Sequence, residues 1–414
     1  MRAADKAGIV WRMAAARHKI RAEDVQGFKY FKALRGLIER LHFVGTARDK
    51  AGNRDLHMDQ YCTLILLWFF SPVVDSLRGI QQASELDKVR KHFGVGRASL
   101  GSLSEGVAVF DPEPLKKIAQ ELFDQLPDVS AGRFDVVGQT LTAVDGSIVE
   151  TLARVARLSW LPKAKGKSLC GYRLHTQFEV LRGVPSRIDV TPASPKSDAD
   201  ERAVLARTVD SDRMYITDRG YAQFALWNVI VAKNSSYCCR IRDNSAHDVT
   251  QTLALTESDI AAGVVSDEVV SFDAGSKARI VPDHPVRIVT VKATPHRSGG
   301  KSSGGRTGPN CDGFLRIATN RLDLPAELIS EMYRLRWLIE NFFRMFKQLL
   351  GCRHLLSTKP NGVEIQVYCG IIACLLIMLY TGRQPTKRTF EMVCFFLSGW
   401  ASLEELERHI ESLP

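Results

Sequence analysis

The chain has 414 residues, 45% apolar and 25% charged, which is too long for one small domain and predicts a soluble globular protein of about two or three domains. Its net charge of +10 favours a polyanionic partner, either nucleic acid or an anionic membrane surface. The nine cysteines are scattered without a paired C-x-x-C spacing, which excludes a zinc site or disulfide framework and predicts a reducing cytosol.

The positive charge is concentrated in three segments. Residues 1–54 hold 13 Lys or Arg against 5 Asp or Glu, and residues 151–173 and 284–311 hold basic residues without any acid. The middle segment includes Lys163, Lys165 and Lys167. The three segments could line one groove on DNA, although each taken alone is equally typical of a solvated surface loop.

The N-terminal part is predicted to be helical. Apolar residues recur at helical spacing over 8–45, and a buried helix over 56–82 is expected to break near Pro72. Residues 86–103 combine a short helix, a turn with glycine and a second segment, which resembles a helix-turn-helix but also fits plain helix packing. The candidates for DNA contact here are Arg90, Lys91 and Arg97.

No membrane segment is expected. The apolar runs 61–70 and 371–380 are shorter than the roughly 20 residues that span a bilayer, so they are interpreted as buried helices. Basic residues interrupt the first 20 positions, which is not the pattern of a secretory signal.

From residue 133 the pattern becomes that of strands. Its order is strand, hairpin, helix and strand, with Asp145 ending the first strand and Asp218 the last. The predicted strands are 134–137, 140–144, 172–181, 186–191 and 214–217, and the helix is 199–209.

A β-rich stretch and then helices follow. Strands are predicted over 265–272, 277–281, 286–293 and 314–319. A long helix begins after Pro325, and further helices are expected over 364–381 and 389–411.

The helix after Pro325 groups polar residues on one face. If it is continuous, Tyr333, Arg336, Glu340 and Lys347 fall within an arc of about 60°, with Arg344 beside them. An ordinary amphipathic helix would also expose such a face. A single acid among cations, however, suits a site that binds both metal and phosphate.

Acids from separated segments are what a magnesium site requires. Hard cations take oxygen ligands, so Asp145, Asp218 and Glu340 are the candidate catalytic acids and metal ligands. Two ions about 3.5–4 Å apart could activate the attacking oxygen and stabilise the leaving oxygen. Arg336 suits a bidentate phosphate contact, and Lys347 suits a point-charge contact.

These residues resemble a known family. The spacing Tyr333-x2-Arg336-x3-Glu340-x6-Lys347 is similar to the Y-R-E-K signature of insertion-sequence DDE transposases of the IS-four group. Asp145, within Ala-Val-Asp-Gly-Ser, looks like the first catalytic acid of that family. Asp218, within Thr-Asp-Arg-Gly-Tyr, looks like the second, and the resemblance extends over roughly residues 130–380.

The resemblance implies an α/β fold. It would have a ribonuclease H-like mixed-sheet catalytic core interrupted by a β-rich insertion, with a helical N-terminal domain and C-terminal helices. The expected parts are a DNA-binding domain (1–130), the first part of the core (131–228), the insertion (229–320), the second part of the core (321–385) and a helical segment (386–414).

The resemblance also implies cut-and-paste transposition. The chain would bind double-stranded DNA at terminal inverted repeats and at the target, form a homodimer in the synaptic complex and use two Mg²⁺ ions per site, or Mn²⁺. It would act in a bacterial-type cytosol, associated with the nucleoid. Tyr333, Arg336 and Lys347 would contact the DNA backbone. Segment 229–320 lacks the indole with which hairpin-forming relatives hold a flipped base, so Phe272 or His296 would replace it.

Two other functions remain open from the residues. One is an inactive or regulatory DNA-binding derivative of a transposase. The other is a ribonuclease H-like nuclease or resolvase, which would hydrolyse DNA without joining it.

Overall fold

The computed structural model describes residues 36–71, 73–127, 131–150, 171–192, 199–242, 245–272, 280–293, 313–351, 356–357, 359–382 and 386–413. The chain forms two compact units. The first contains Met1–Ser130, Val149–Gly171 and Phe343–Pro414. The second contains Ala131–Ile148 and Tyr172–Phe342.

The described strands and helices are numbered separately, each in chain order. The strands are β1 Thr140–Glu150, β2 Gly171–Glu179, β3 Val184–Pro192, β4 Arg213–Thr217, β5 Ser236–Arg240, β6 Asp248–Thr252, β7 Val264–Ser271, β8 Val286–Lys292 and β9 Phe314–Thr319. The helices are α1 Leu41–Val44, α2 Met58–Phe70, α3 Leu77–Glu85, α4 Asp87–Phe93, α5 Leu100–Val109, α6 Glu113–Asp124, α7 Glu201–Arg207, α8 Phe224–Ala232, α9 Glu257–Ala261, α10 Ala326–Arg334, α11 Trp337–Gly351, α12 Pro360–Thr381, α13 Lys387–Leu397 and α14 Leu403–Glu411.

One mixed sheet organises the second unit. Among the described residues it has nine strands, in the order β3-β2-β1-β4-β5-β9-β8-β7-β6. β1, β4 and β5 are parallel, and they are connected through α7 and α8, as parallel strands require. β2 and β3 form an antiparallel hairpin. The predicted α/β class, with a mixed sheet and flanking helices, is thereby confirmed.

The β-rich stretch extends this same sheet. β9 pairs antiparallel with β5, and β8, β7 and β6 follow outward as antiparallel neighbours. β8 is buried over almost its whole length because its β-branched residues pack on both sides of the sheet. The segment 229–320 therefore shares its hydrogen-bond ladder with the core and does not form a sheet of its own.

Aromatic packing and a buried ion pair support the sheet. Trp227 of α8 stacks on Tyr237 of β5 with ring centroids 4.7 Å apart, and both residues are buried. Arg287 of β8 makes a bidentate pair with Asp267 of β7 at 2.7 and 2.6 Å, with both side chains 4% exposed. The same guanidinium donates to the Leu324 carbonyl oxygen at 2.5 Å, which fixes the entry to α10.

The predicted continuous helix after Pro325 is wrong, because two helices meet at a turn. α10 ends at Arg334, and α11 begins at Trp337. The amide of Arg336 donates to the Tyr333 carbonyl, and that of Ile339 donates to the Arg336 carbonyl. These i-to-i−3 bonds form a tighter turn than an α-helix. The 60° arc computed for one straight helix therefore does not apply.

The described part of the first unit is mainly helical. α12 packs against α2, α5 and α6, and Lys116 of α6 pairs with Glu364 of α12 at 2.6 Å. Residues Pro360–Leu379 have a mean hydropathy of 2.1 and are long enough to cross a membrane, but 89% of their most apolar stretch is buried inside the fold. The run 371–380 is thus part of a longer helix than expected, and length alone does not argue against a membrane span.

Several local predictions can be compared with the structure. Residues 132–137 form a 3₁₀ turn instead of the strand expected over 134–137. The helix expected over 56–82 is divided into α2 and α3. α4 and α5 are joined through Gly94, which has φ 65°. Residues 8–35 and most of the strand expected over 277–281 lie outside the described residues.

Candidate active site

Two aspartates lie side by side on adjacent parallel strands. The register of β1 and β4 pairs Ala143 with Ile216. Two residues further along both strands, the same register places Asp145 beside Asp218. The two carboxylates interact electrostatically, because the charge of Asp218 contributes to raising the pKa of Asp145. The sheet therefore gathers two acids that are far apart in the chain.

The environment of Asp145 disfavours its charged form. Burial raises its pKa from 3.8 to about 6, against the lowering effects of Arg336 and of the Gly146 amide. The side chain is only 25% exposed. The ionised carboxylate therefore lacks full compensation from its neighbours, as is typical of functional sites.

Each aspartate uses one oxygen for a local backbone bond. Asp218 Oδ1 accepts from the Gly220 amide at 2.8 Å and so caps the turn Arg219–Tyr221. Asp145 Oδ1 accepts from the Gly146 amide at 2.9 Å. These bonds fix the carboxylate orientations and leave the other oxygen of each group for a further partner.

Arg336 connects the aspartate site to the turn between α10 and α11. Its guanidinium is 3.9 Å from Asp145 Oδ2 and donates a hydrogen bond to Glu340 Oε1. It also lies 6.0 Å from the centre of the Tyr333 ring. Because the helix is interrupted here, Arg336 stands in the turn with its side chain 18% exposed. Tyr333, Arg336, Glu340 and Asp145 are therefore brought together around one positive charge.

Burial raises the pKa of Tyr333 to about 12, so its hydroxyl is neutral at physiological pH. A neutral phenol can donate a hydrogen bond to a phosphate oxygen. This agrees with the chemistry expected of a DNA-backbone contact, although that contact itself stays a prediction.

The acids are carboxylate donors of the kind that hard cations prefer. Within the described ranges, however, no group of three or more His, Cys, Asp or Glu side chains is close enough to hold one metal ion. Glu340 instead bonds to Arg336, and its side chain is 48% exposed. The carboxylate oxygens are suitable ligands for a divalent cation. In this structure the Arg336 guanidinium lies between Asp145 and Glu340 and balances their negative charges.

The remaining predicted DNA contacts are distributed differently. Arg344 and Lys347 are exposed on the part of α11 that belongs to the first unit. Lys91 is exposed on α4, and Arg90 lies 4.0 Å from Asp87. Arg97 pairs with Glu85 at 3.1 Å, although its side chain is 73% exposed. Lys163, Lys165 and Lys167 lie outside the described residues.

The suggested replacements for the missing indole find little support. Phe272 packs against Phe224 at 4.7 Å between ring centroids and belongs to the aromatic cluster around Trp227. His296 lies outside the described residues. An indole does occur beside the site, since Trp337 follows Arg336 and is 52% exposed.

A further acid escaped the sequence-based prediction. Glu201 opens α7, and its carboxylate lies directly over Gly146, so that a Cβ added there would be 2.5 Å from Glu201 Oε1. Arg173 of β2 pairs with the same oxygen at 2.7 Å. No spacing rule relates Glu201 to the two aspartates. The only signal was an acid at the start of a predicted helix, which is also an ordinary helix preference.

Comparison with known proteins identifies the family to which the chain is similar. The family model described as a transposase DDE domain matches residues 137–376. That range is more than half of the chain and includes Asp145, Asp218 and Glu340.

Two curated relatives, both named as candidate transposases, are similar to the chain. The protein y4zB of Sinorhizobium fredii is 26% identical over 229 residues, which cover 54% of this chain and 57% of y4zB. The protein of Geobacillus stearothermophilus named for insertion sequence element IS5377 is 24% identical over 253 residues, or 60% of each chain. The chain thus spans about three fifths of the length of these relatives.

A cryo-EM structure of the piggyBac transposase synaptic complex with hairpin DNA aligns with 95% of this chain and 87% of that chain, at 10% identity and a TM-score of 0.43. A likeness this low carries no argument about function.

Proposed function

We propose, for a chain that belongs to the transposase DDE domain family, that it cleaves and joins DNA strands with Asp145, Asp218 and Glu340 as its catalytic acids. One observation carries the proposal. The Arg336 guanidinium links Asp145 of β1 to Glu340 beyond the turn. The charge of Asp218, at the end of the neighbouring strand, also contributes to the raised pKa of Asp145. Three separated segments thus contribute to one acidic site.

The finer assignment is to insertion-sequence transposases of the IS-four group. The Y-R-E-K spacing supports it, and Tyr333, Arg336 and Glu340 lie within one local arrangement. The chain would bind the terminal inverted repeats and the target DNA, act as a homodimer in the synaptic complex and work at the nucleoid of a bacterial-type cytosol. The positive charge of +10 agrees with DNA as partner.

The carboxylates of Asp145, Asp218 and Glu340 would hold Mg²⁺, for which Mn²⁺ could substitute, with two ions in the complete site. The chemistry that these cations supply when bound is activation of the attacking oxygen and stabilisation of the leaving oxygen. The raised pKa of Asp145, about 6, supports this assignment because a cation would compensate its buried charge.

Arg336 has a second role in this mechanism. A guanidinium binds phosphate oxygens in a bidentate manner, so a DNA phosphate would compete with Glu340 and Asp145 for it. Transfer of Arg336 to phosphate would free the Glu340 carboxylate as an oxygen donor. Substrate binding and completion of the acidic site would then occur together.

The test uses DNA ends carrying the inverted repeats that flank the gene, together with a target duplex and Mg²⁺. The wild-type chain is expected to yield joined products, while Glu340→Gln and Asp145→Asn should yield neither nicked nor joined products and still bind the ends. Glu257→Gln, at an exposed acid of α9, is the control and should leave the products unchanged.

The alternatives predict other products. Nicks without joined strands from the wild-type chain would indicate a nuclease or resolvase. End binding without any cleavage would indicate a regulatory derivative. Full activity of Asp145→Asn would remove this residue from the catalytic set.

A further inference from the structure

A fourth carboxylate, outside the Y-R-E-K signature and the two aspartate motifs, borders the acidic site. Glu201 is the first residue of α7 and its side chain is 29% exposed. It reaches across to β1, where its carboxylate covers Gly146, the neighbour of Asp145. A Cβ added at Gly146 would meet only atoms of the Glu201 side chain, at 2.5, 2.6 and 3.1 Å, so the carboxylate would have to move to admit it.

Two neighbouring residues hold the position of Glu201. Arg173 of β2 holds Oε1 at 2.7 Å. The second contact is with Tyr221, a buried residue of the turn that Asp218 caps. Its hydroxyl interacts with the Glu201 carboxylate and counters part of the rise in the pKa of Glu201 that burial causes. Glu201 is thus tied to the segments that carry both aspartates.

Glu201 also acts on both aspartates through its charge. Its carboxylate lies against Gly146, the residue that follows Asp145 in β1, and Asp218 is the residue that caps the turn containing Tyr221. A carboxylate in this position adds negative charge beside the aspartate pair, and negative charge attracts a cation.

We propose that Glu201 is a positioning residue, which acts through Asp145 to raise the affinity of the Asp145–Asp218 pair for a divalent cation. It does so by packing against Gly146 and by adding negative charge beside the pair. This inference rests on the proposed function, since it concerns the same acidic site. Residues that orient and polarise metal ligands typically contribute about 10- to 100-fold to metal affinity.

The direct test is Mn²⁺ binding to the DNA-free protein, followed by electron paramagnetic resonance. Glu201→Gln keeps the shape of the side chain and removes its charge, and it is expected to raise the Kd for Mn²⁺ about tenfold. The matched control is Glu257→Gln, because Glu257 is also the first residue of a helix but is exposed and far along the chain. Asp145→Asn should abolish the binding.

A kinetic measurement separates positioning from a general loss of structure. In strand cleavage, Glu201→Gln should raise the Mg²⁺ concentration for half-maximal rate about tenfold and change the rate at saturating Mg²⁺ by less than about twofold. A variant that is merely misfolded would lose the maximal rate instead.

Gly146→Ala offers a second route to the same effect. The new methyl would displace the Glu201 carboxylate without altering its charge, so Mn²⁺ affinity should again fall. In a Glu201→Ala background the collision is gone, and Gly146→Ala should then have no further effect. Such non-additivity is expected of residues in contact.

The outcomes distinguish the two proposals. If Glu201→Gln binds Mn²⁺ as tightly as Glu257→Gln while Asp145→Asn loses binding, the role of Glu201 is refuted and the proposed function stands. If the wild-type chain binds no Mn²⁺, the role of Glu201 is refuted as well. If Asp145→Asn still cleaves and joins DNA, the proposed function fails, whatever Glu201 does.

Discussion

Replacing Asp145 with Asn is expected to stabilise the metal-free sheet at neutral pH while it removes catalysis. The folded protein raises the pKa of Asp145 from 3.8 to about 6. The unfolded chain therefore releases this proton at lower pH than the folded chain, and stability falls as the pH rises between these values. At 1.36 kcal/mol per pKa unit, the ionised carboxylate costs up to about 3 kcal/mol above pH 6. Its partial exposure of 25% reduces this to about 2 kcal/mol.

Hydrogen exchange of the β1 and β4 amides, with a chelator present, measures this effect. At pH 7.5, Asp145→Asn should slow exchange roughly 30-fold relative to the wild type, which is about 2 kcal/mol. At pH 5 the gain should be about half as large in kcal/mol, because the wild-type carboxyl is then largely protonated in the folded state. Addition of Mg²⁺ should stabilise the wild type and not the variant.

The control for this experiment is Asp248→Asn, at an exposed aspartate of β6. It should change the exchange of β1 and β4 by little at either pH. A loss of protection in Asp145→Asn at pH 7.5 would refute the reasoning, because it would mean that the Arg336 and Gly146 contacts outweigh the burial of the charge.

Three further predictions follow from other contacts. Arg287→Met should cost about 3–5 kcal/mol of unfolding free energy, measured in urea, because it leaves the buried Asp267 carboxylate without a partner; a cost below 1 kcal/mol would contradict this. Arg336→Gln should move the acid limb of the cleavage pH profile upward, because the guanidinium lowers the pKa of the Asp145 carboxyl; an unmoved limb would argue against the contact. Lys347→Ala should reduce the slope of log binding constant against log salt by about one, while the exposed Lys233→Ala should not; equal slopes would remove Lys347 from the phosphate contacts.

The residues of the signature were readable in the sequence, but their arrangement was not. The spacing of Tyr333, Arg336, Glu340 and Lys347 identified the candidate family, which the match over residues 137–376 confirmed at the level of the DDE domain. The geometry assumed for it was one straight helix. The structure has a turn at Arg336, and this turn aims the guanidinium at Asp145 and Glu340.

For the two aspartates, too, the local structure was predictable from the sequence and the long-range pairing was not. β-type runs that end in Asp145 and Asp218 predicted strand ends, which is local information. That the two strands are parallel neighbours in matching register depends on the connection through α7, a long-range property. Glu201 could not be found because its relation to Gly146 arises only when α7 packs beside β1.

The sequence by itself determined the kinds of element and the chemistry. Hydrophobic periodicity and turn residues act over a few positions, so most strands and helices were predictable, and residue types limit the site to carboxylates and cations. Tertiary structure decided which groups meet. It continued the β-rich stretch into the core sheet, broke the helix at Arg336 and set Glu201 beside Asp145. These outcomes depend on pairing and packing between residues far apart in the chain, which no local pattern encodes.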